Sequence, residues 1–242
     1  MILKFLKLLL IPGLFLSNLP NTYPAQPLTQ SSAWSLTGQA GGPIQGLSVQ
    51  GNYAYVGVGP RLIVVDVSNP ANPHPVGASA PFDYFVQGVA VSGTIAYVAV
   101  GSAGLRTVNI ATPSNPVEIG AWDSPGFAEN VAISGNLAYL ADGPYGLRVL
   151  DVSDPAAPEE LAHAFETNYA VDVSINGRYA YIAAGGAGLL IAEISNPLFP
   201  VEAGSFDTPG YARALANSGS RLVLADERSG LLILNVADPL HP

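Results

Sequence analysis

The chain has 242 residues, a formal net charge of −9 and a charged fraction of only 11%. The acidic balance argues against a nucleic-acid partner, because phosphates and an acidic surface repel each other. With 49% hydrophobic residues the chain is too apolar to be disordered, and its 26 Gly and 21 Pro residues disfavour long helices.

The amino terminus has the residue order of a secretory signal peptide. Lys4 and Lys7 precede an apolar run at 8–16, and the small residue Ala25 follows a polar stretch. The run is shorter than the about 20 residues that cross a bilayer, although an uncleaved anchor is the alternative. We predict a signal peptide at 1–25, a linker at 26–32, no membrane span in the mature chain, and a secreted or cell-surface location.

A unit of 42 residues then recurs five times. Each copy has a glycine in a tight turn before an apolar strand, at Gly51, Gly93, Gly135, Gly177 and Gly219. A period of about 40–45 residues with strand-like segments is typical of four-stranded propeller blades. The sequence therefore predicts an all-β protein, a β-propeller of five four-stranded blades over 33–242.

The third copy illustrates the predicted blade. Strands are expected at 127–134, 137–142, 147–152 and 159–165, separated by Gly-rich and Pro-rich turns. The inner strands are apolar on both sides, as expected if blades stack face to face, and the charged fourth strand suits an exposed edge.

The last copy lacks a fourth strand. The segment at 33–39 is in phase with the missing strand, so we expect it to pair there and close the ring. The alternative is that the chain is a fragment of a larger propeller.

Two ten-residue stretches carry a family resemblance. These are Gly-Leu-Arg-Val-Leu-Asp-Val-Ser-Asp-Pro at 146–155 and Arg-Leu-Ile-Val-Val-Asp-Val-Ser-Asn-Pro at 61–70, with looser copies elsewhere. They resemble the LVIVD-repeat family of secreted and cell-surface bacterial propellers. The resemblance implies the fold and a surface location, and it implies no catalytic residue.

An Asp, Asn or Glu opens each Pro-rich turn, for example Asp66 and Asp151. We interpret these side chains as caps of their own turn backbone. A repeated calcium site is the alternative, but one carboxylate per turn is too few for an ion with about 6–8 oxygen ligands.

The connections between blades and the loops between second and third strands share one face, and this face varies among the copies. We predict a ligand-binding mouth there, lined by Gln45, Phe85, Gln87, Phe127, Glu129, Asn130, Tyr169, Asp172, Tyr211 and Arg213. Aromatic and planar polar groups suit a polysaccharide or a protein partner. Alternatively, the four aromatic residues pack between blades and set their spacing.

The sequence gives little support for catalysis. No Ser/His/Asp set and no His/Cys cluster falls at one site, so we assign no catalytic residue, metal ligand or cofactor. One alternative is a carbohydrate-active enzyme, a hydrolase or lyase, that uses Glu129 and Asp172 as a carboxylate pair. Another is a purely structural repeat in a cell envelope.

Overall fold

A computed structural model describes residues 44–166 and 168–242, which form five antiparallel sheets. The first blade contains β1 (Ile44–Gln50), β2 (Tyr53–Val58), β3 (Arg61–Asp66) and β4 (His74–Ala78). The second contains β5 (Gly88–Ser92), β6 (Ile95–Ala99), β7 (Leu105–Asn109) and β8 (Val117–Trp122). The third contains β9 (Asn130–Ser134), β10 (Leu137–Ala141), β11 (Leu147–Asp151) and β12 (Glu159–Ala164).

The fourth blade contains β13 (Asp172–Asn176), β14 (Tyr179–Ala183), β15 (Leu189–Glu193) and β16 (Val201–Phe206). The fifth contains β17 (Ala212–Ser218), β18 (Arg221–Asp226) and β19 (Gly230–Asn235). Strand order follows chain order in every sheet, and the innermost strands of consecutive blades pack side by side. The predicted all-β propeller with five blades is confirmed.

The first strand of the third blade begins later than predicted, at Asn130 rather than residue 127. The reason is that the preceding segment also pairs across blades: Ala128 forms a bridge with Gly101 of the second blade. Equivalent bridges join Ala170 to Gly143 and Ala212 to Gly185. These entry segments therefore tie the third, fourth and fifth blades to their predecessors.

The hydrophobic core lies between the blades. Leu189 and Ile191 of the fourth blade, for example, share one buried cluster with Leu215 and Leu224 of the fifth. Three similar clusters join the earlier blades. The prediction that both faces of the inner strands are covered is confirmed for the three middle blades.

The Pro-rich turns are capped as predicted. Asp66 Oδ1 accepts a hydrogen bond from Ser68 N at 2.8 Å, and Asp151 Oδ1 accepts one from Ser153 N at 2.8 Å. Glu193 bonds Ser195 N in the same way, and the hydrogen bonds from Ser68 and Ser195 hold the pKa of Asp66 and of Glu193 below the usual values. Across 44–166 and 168–242, no three acidic, His or Cys side chains form a metal-binding group.

The predicted signal peptide, linker and closing strand at 33–39 lie outside the described residues and remain predictions. Within the described part of the chain, no helix is present that has the length and hydrophobicity to cross a membrane.

Candidate functional site on the variable loop face

We call the variable face the mouth: the segments that enter the first strands, at 84–87, 127–130, 169–172 and 211–214, with Gln45 and the loops at 142–145 and 226–228. Its charged part involves the last three blades. Tyr169 Oη donates a hydrogen bond to Glu129 Oε1 at 3.0 Å. The Arg213 guanidinium lies over the Tyr211 ring, 4.5 Å from its centroid, and forms an ion pair with Glu227. The sequence predicted four of these residues at the mouth, namely Glu129, Tyr169, Tyr211 and Arg213, but not the contacts that they make with one another.

Electrostatic coupling connects this cluster. Burial raises the pKa of Glu129, while the Tyr169 hydrogen bond and the Arg213 charge oppose that rise. Burial and the neighbouring Glu129 carboxylate raise the pKa of Tyr169 to about 12. Burial also raises the pKa of Tyr211, against the effect of Arg213. The mouth thus holds two carboxylates, a guanidinium and two neutral phenols within interaction range.

Tyr169→Phe is expected to raise the pKa of Glu129 further, because it removes a hydrogen bond that favours the ionised carboxylate. The measurement is an NMR titration of the glutamate side-chain carboxyl carbons. Tyr211→Phe is the matched control, since Tyr211 donates no hydrogen bond to Glu129 in the structure. An unchanged or lower Glu129 pKa in Tyr169→Phe would contradict the assigned contact.

Aromatic rings form the second part of the mouth. Tyr84 packs against Phe85 with ring centroids 5.6 Å apart, and against Phe127 edge-on at 5.5 Å. Phe85 is 49% exposed, and Tyr169 is 39% exposed at the other side of the mouth. Exposed rings of this kind are available to a ligand. Tyr84 was missed in the sequence, although two adjacent aromatic residues in one connection were a usable signal.

Three of the four predicted aromatic residues also approach a glycine of the preceding blade. A Cβ at Gly101 would come within 3.0 Å of the Phe127 ring, and one at Gly185 within 2.7 Å of the Tyr211 ring. A Cβ at Gly143 would lie 3.4 Å from the Tyr169 ring, although Tyr169 is 39% exposed. These three rings therefore agree with the packing alternative, whereas Phe85 is the most exposed of the four.

Asn130 and Asp172 lie where innermost strands meet. The Asn130 side-chain amide donates to Asp172 Oδ1, which also accepts a hydrogen bond from Val173 N at 2.8 Å. Asp172 Oδ2 accepts one from Leu215 N of the fifth blade at 2.9 Å. Buried Asp172 thus joins three blades through these hydrogen bonds, and the carboxylate pair with Glu129 stays a prediction.

The glutamines lie at the opposite side of the mouth. Gln45 is exposed near the start of β1, and half-buried Gln87 donates from Nε2 to Phe85 O at 3.3 Å. Glu227, the ion-pair partner of Arg213, is a mouth residue that the sequence analysis did not predict. Its signal was its position, because the equivalent residues of the other blades are Gly59, Gly101, Gly143 and Gly185.

A buried ionic network supports the third-blade loop. Arg148 Nε lies 3.4 Å from Asp142 Oδ2, Arg148 Nη1 lies 3.0 Å from Glu160 Oε1, and the Ser124 hydroxyl donates to Asp142. Burial raises the pKa of Asp142, against the effects of Ser124 and Arg148. Arg148 also lies 5.5 Å from the centroid of the exposed Tyr145 ring. The network fixes the loop that presents Tyr145 at the mouth.

Comparison with known proteins identifies the repeats. A family model described as "LVIVD repeat" matches residues 41–79, 85–124, 125–164 and 168–208. No curated protein matches the chain. A solved structure, the crystal structure of the computationally designed Ika8 protein, shares the fold with a TM-score of 0.64 and 13% identity. The match covers 80% of this chain and 58% of the designed one, so the chain spans little more than half of that protein. Because the family model matches four repeats of the chain, the chain belongs to the LVIVD-repeat family.

Proposed function

We propose that this propeller acts outside the cytoplasm, secreted or on the cell surface, as a module that binds a polysaccharide or protein partner at the mouth. Family membership and fold support a repeat module for interaction in general. One observation carries the finer proposal: four of the five exposed aromatic residues that the structure describes, Tyr84, Phe85, Tyr145 and Tyr169, lie on the face whose loops differ, whereas the Pro-rich turns on the opposite face repeat the same self-capping hydrogen bond.

The chemistry of the mouth suits an extended, neutral or mixed-charge ligand. Phe85 and Tyr169 offer apolar ring surface, which can stack on a sugar ring or contact a peptide side chain. Glu129 offers acceptors and Arg213 offers planar paired donors. Because Arg213 and Glu227 are an exposed pair, their mutual attraction is weak and a ligand can compete for either group.

The carbohydrate-active enzyme is the less supported alternative. A glycosidase needs two carboxyl groups on either side of the scissile bond. Asp172 is buried, and both of its oxygens accept hydrogen bonds from Asn130, Val173 and Leu215. This carboxylate has a structural role between the blades, so the geometry favours binding over hydrolysis.

Glycan and peptide arrays test the proposal. We expect the wild-type protein to bind members of one array, and Glu129→Ala/Arg213→Ala to weaken that binding by about tenfold or more, equivalent to about 1.4 kcal/mol. The control is Glu202→Ala/Arg221→Ala, which also removes one acidic and one basic exposed residue, but outside the mouth. Equal binding by the wild type and the mouth variant, or an equal loss in the control, would contradict the assignment.

A further inference from the structure

Three of the Pro-rich turns rest closely on the fourth strand of the preceding blade. A Cβ added at Gly77 of β4 would collide with Pro113 O of the second blade, and one at Gly120 of β8 would collide with Pro155 O of the third. Gly204 of β16 meets the turn of the fifth blade in the same way. The close contact between turn and strand therefore requires a glycine at this position.

The third blade lacks this glycine. Ala162 of β12 has the equivalent position, since it pairs with Val149 as Gly120 pairs with Thr107. Its methyl group keeps the turn of the fourth blade farther from the sheet than the other turns lie from theirs. A groove with a volume of ≈ 450 Å³ lies between this turn and β12. We call it the rim groove, and its lining residues are Arg148, Glu160, Leu161, Ala162, His163 and Leu198.

The turn beside the rim groove differs from the three turns before it. Leu198 is 50% exposed and Phe199 is 70% exposed. The first three turns have small or polar residues at both positions, namely Ala71-Asn72, Ser114-Asn115 and Ala156-Ala157. The turn of the fourth blade still caps itself, because Leu198 N donates a hydrogen bond to Asn196 Oδ1 at 3.2 Å. Turn stability therefore does not explain the two exposed apolar side chains.

The polar side of the rim groove carries excess negative charge. The buried Arg148 guanidinium lies within 3.5 Å of three carboxylates, which belong to Asp142, Glu160 and Glu166. Its single charge balances that of buried Asp142, so the charges of Glu160 and Glu166 remain for a cation from outside. His163 contacts both of these carboxylates and adds a positive charge only when it is protonated.

We propose that the rim groove binds an extended segment of a protein partner that carries a basic side chain next to an apolar one. The basic group pairs with Glu160 and Glu166, and the apolar side chain packs against Ala162 and Leu198. The six lining residues favour a peptide over a polysaccharide, because none of them offers an aromatic face on which a sugar ring could stack. This site is separate from the mouth and goes beyond the function proposed above.

Binding of synthetic peptides to the full chain tests the proposal. The probes combine Lys with Leu, and the comparison peptides have Glu in place of Lys or Ser in place of Leu. We expect the wild type to bind the Lys/Leu peptides best, and Leu198→Ala to weaken this binding about fivefold. Ala162→Gly restores the glycine of the other blades, so the turn can close on β12 and the affinity should fall similarly. No binding by the wild type, no preference for the Lys/Leu peptides, or wild-type affinity in both variants would overturn the proposal.

The second blade provides a matched control for the charge. Arg106 Nε lies 3.5 Å from Glu118 Oε1, at positions equivalent to those of Arg148 and Glu160, but Gly120 keeps the neighbouring turn close. Glu160→Gln is expected to weaken binding of the Lys/Leu peptides, and Glu118→Gln is expected to leave it unchanged. Equal losses in the two variants would show that the peptides respond only to the overall charge, and would overturn the proposal.

The mouth variant separates this site from the proposed function. Glu129→Ala/Arg213→Ala should bind the Lys/Leu peptides as the wild type does, because both changes lie outside the rim groove. Loss of peptide binding in that variant would show that the peptides bind at the mouth, and would overturn the assignment to the rim groove.

Discussion

Replacing Arg148 by Leu is expected to lower the free energy of unfolding by about 3–5 kcal/mol, because it leaves a buried carboxylate without its counter-charge. Asp142 and Arg148 are both buried, and the guanidinium also bonds Glu160. The measurement is urea unfolding followed by tryptophan fluorescence, with circular dichroism to verify that the variant folds. A loss comparable to that of an exposed ion pair, below about 1 kcal/mol, would contradict the proposed network.

The chain itself provides the matched control. The fourth blade has Ala184 and Leu190 at the positions of Asp142 and Arg148, and both residues are buried there. Asp142→Ala/Arg148→Leu copies that apolar pair into the third blade, so we expect it to recover most of the stability that Arg148→Leu loses. If the double variant were less stable than the single variant, an unpaired Asp142 would not be the cause of the loss.

The deficit of Arg148→Leu should also depend on pH. Burial already raises the pKa of Asp142 in the folded protein, and loss of Arg148 raises it further. A raised carboxyl pKa means that the folded state binds more protons than the unfolded state, so this contribution to stability improves as pH falls through the raised folded pKa toward the unfolded value. The difference in unfolding free energy between the variant and the wild type should therefore shrink toward acidic pH. Protonation of the turn-capping carboxylates destabilises both proteins alike, so it cancels in this difference.

Asp172→Ala is expected to have the second largest effect, about 3 kcal/mol of unfolding free energy, because it leaves buried donors of three blades unsatisfied. These donors are the Asn130 amide, Val173 N and Leu215 N. For a chain of this size the loss corresponds to a fall in Tm of about 6–12 °C, measurable by calorimetry.

Asp207→Ala is the control for this substitution, since it removes an equal charge from an exposed position. We expect that variant to melt close to the wild type. A wild-type Tm for Asp172→Ala, together with loss of ligand binding, would instead assign Asp172 to the mouth as a ligand contact and contradict its role between the blades.

The fold was largely predictable from the sequence because the determinants are local and repeated. The fixed 42-residue spacing gave the blades, and Asp66 and Asp151 cap the turns that their position beside Pro predicted. The face that carries the variable residues also followed from strand order. Each of these inferences needs only short-range rules of turns and strands.

Which mouth residues contact one another was not predictable, because these contacts join different strands and loops, and some of them, such as Asn130–Asp172, join residues one repeat apart. Asn130 and Asp172 are predicted ligand contacts, and the sequence did not show that they also bond each other across the blades. Arg148 lay in a segment that looked continuously apolar, and its burial depends on Asp142 and Glu160, which belong to other strands or loops. Tertiary contacts of this kind leave no local pattern.

The central claim is that the two faces of the propeller differ in function, with the mouth binding a partner and the Pro-rich turns serving structure. Hydrogen–deuterium exchange of the full chain, with and without the strongest ligand from the arrays, tests it most directly. We predict slower exchange at 84–87, 127–130 and 169–171 on binding, and no change at the capped turns around Asp66 and Asp151. Protection at those turns with no change at the mouth would contradict the claim.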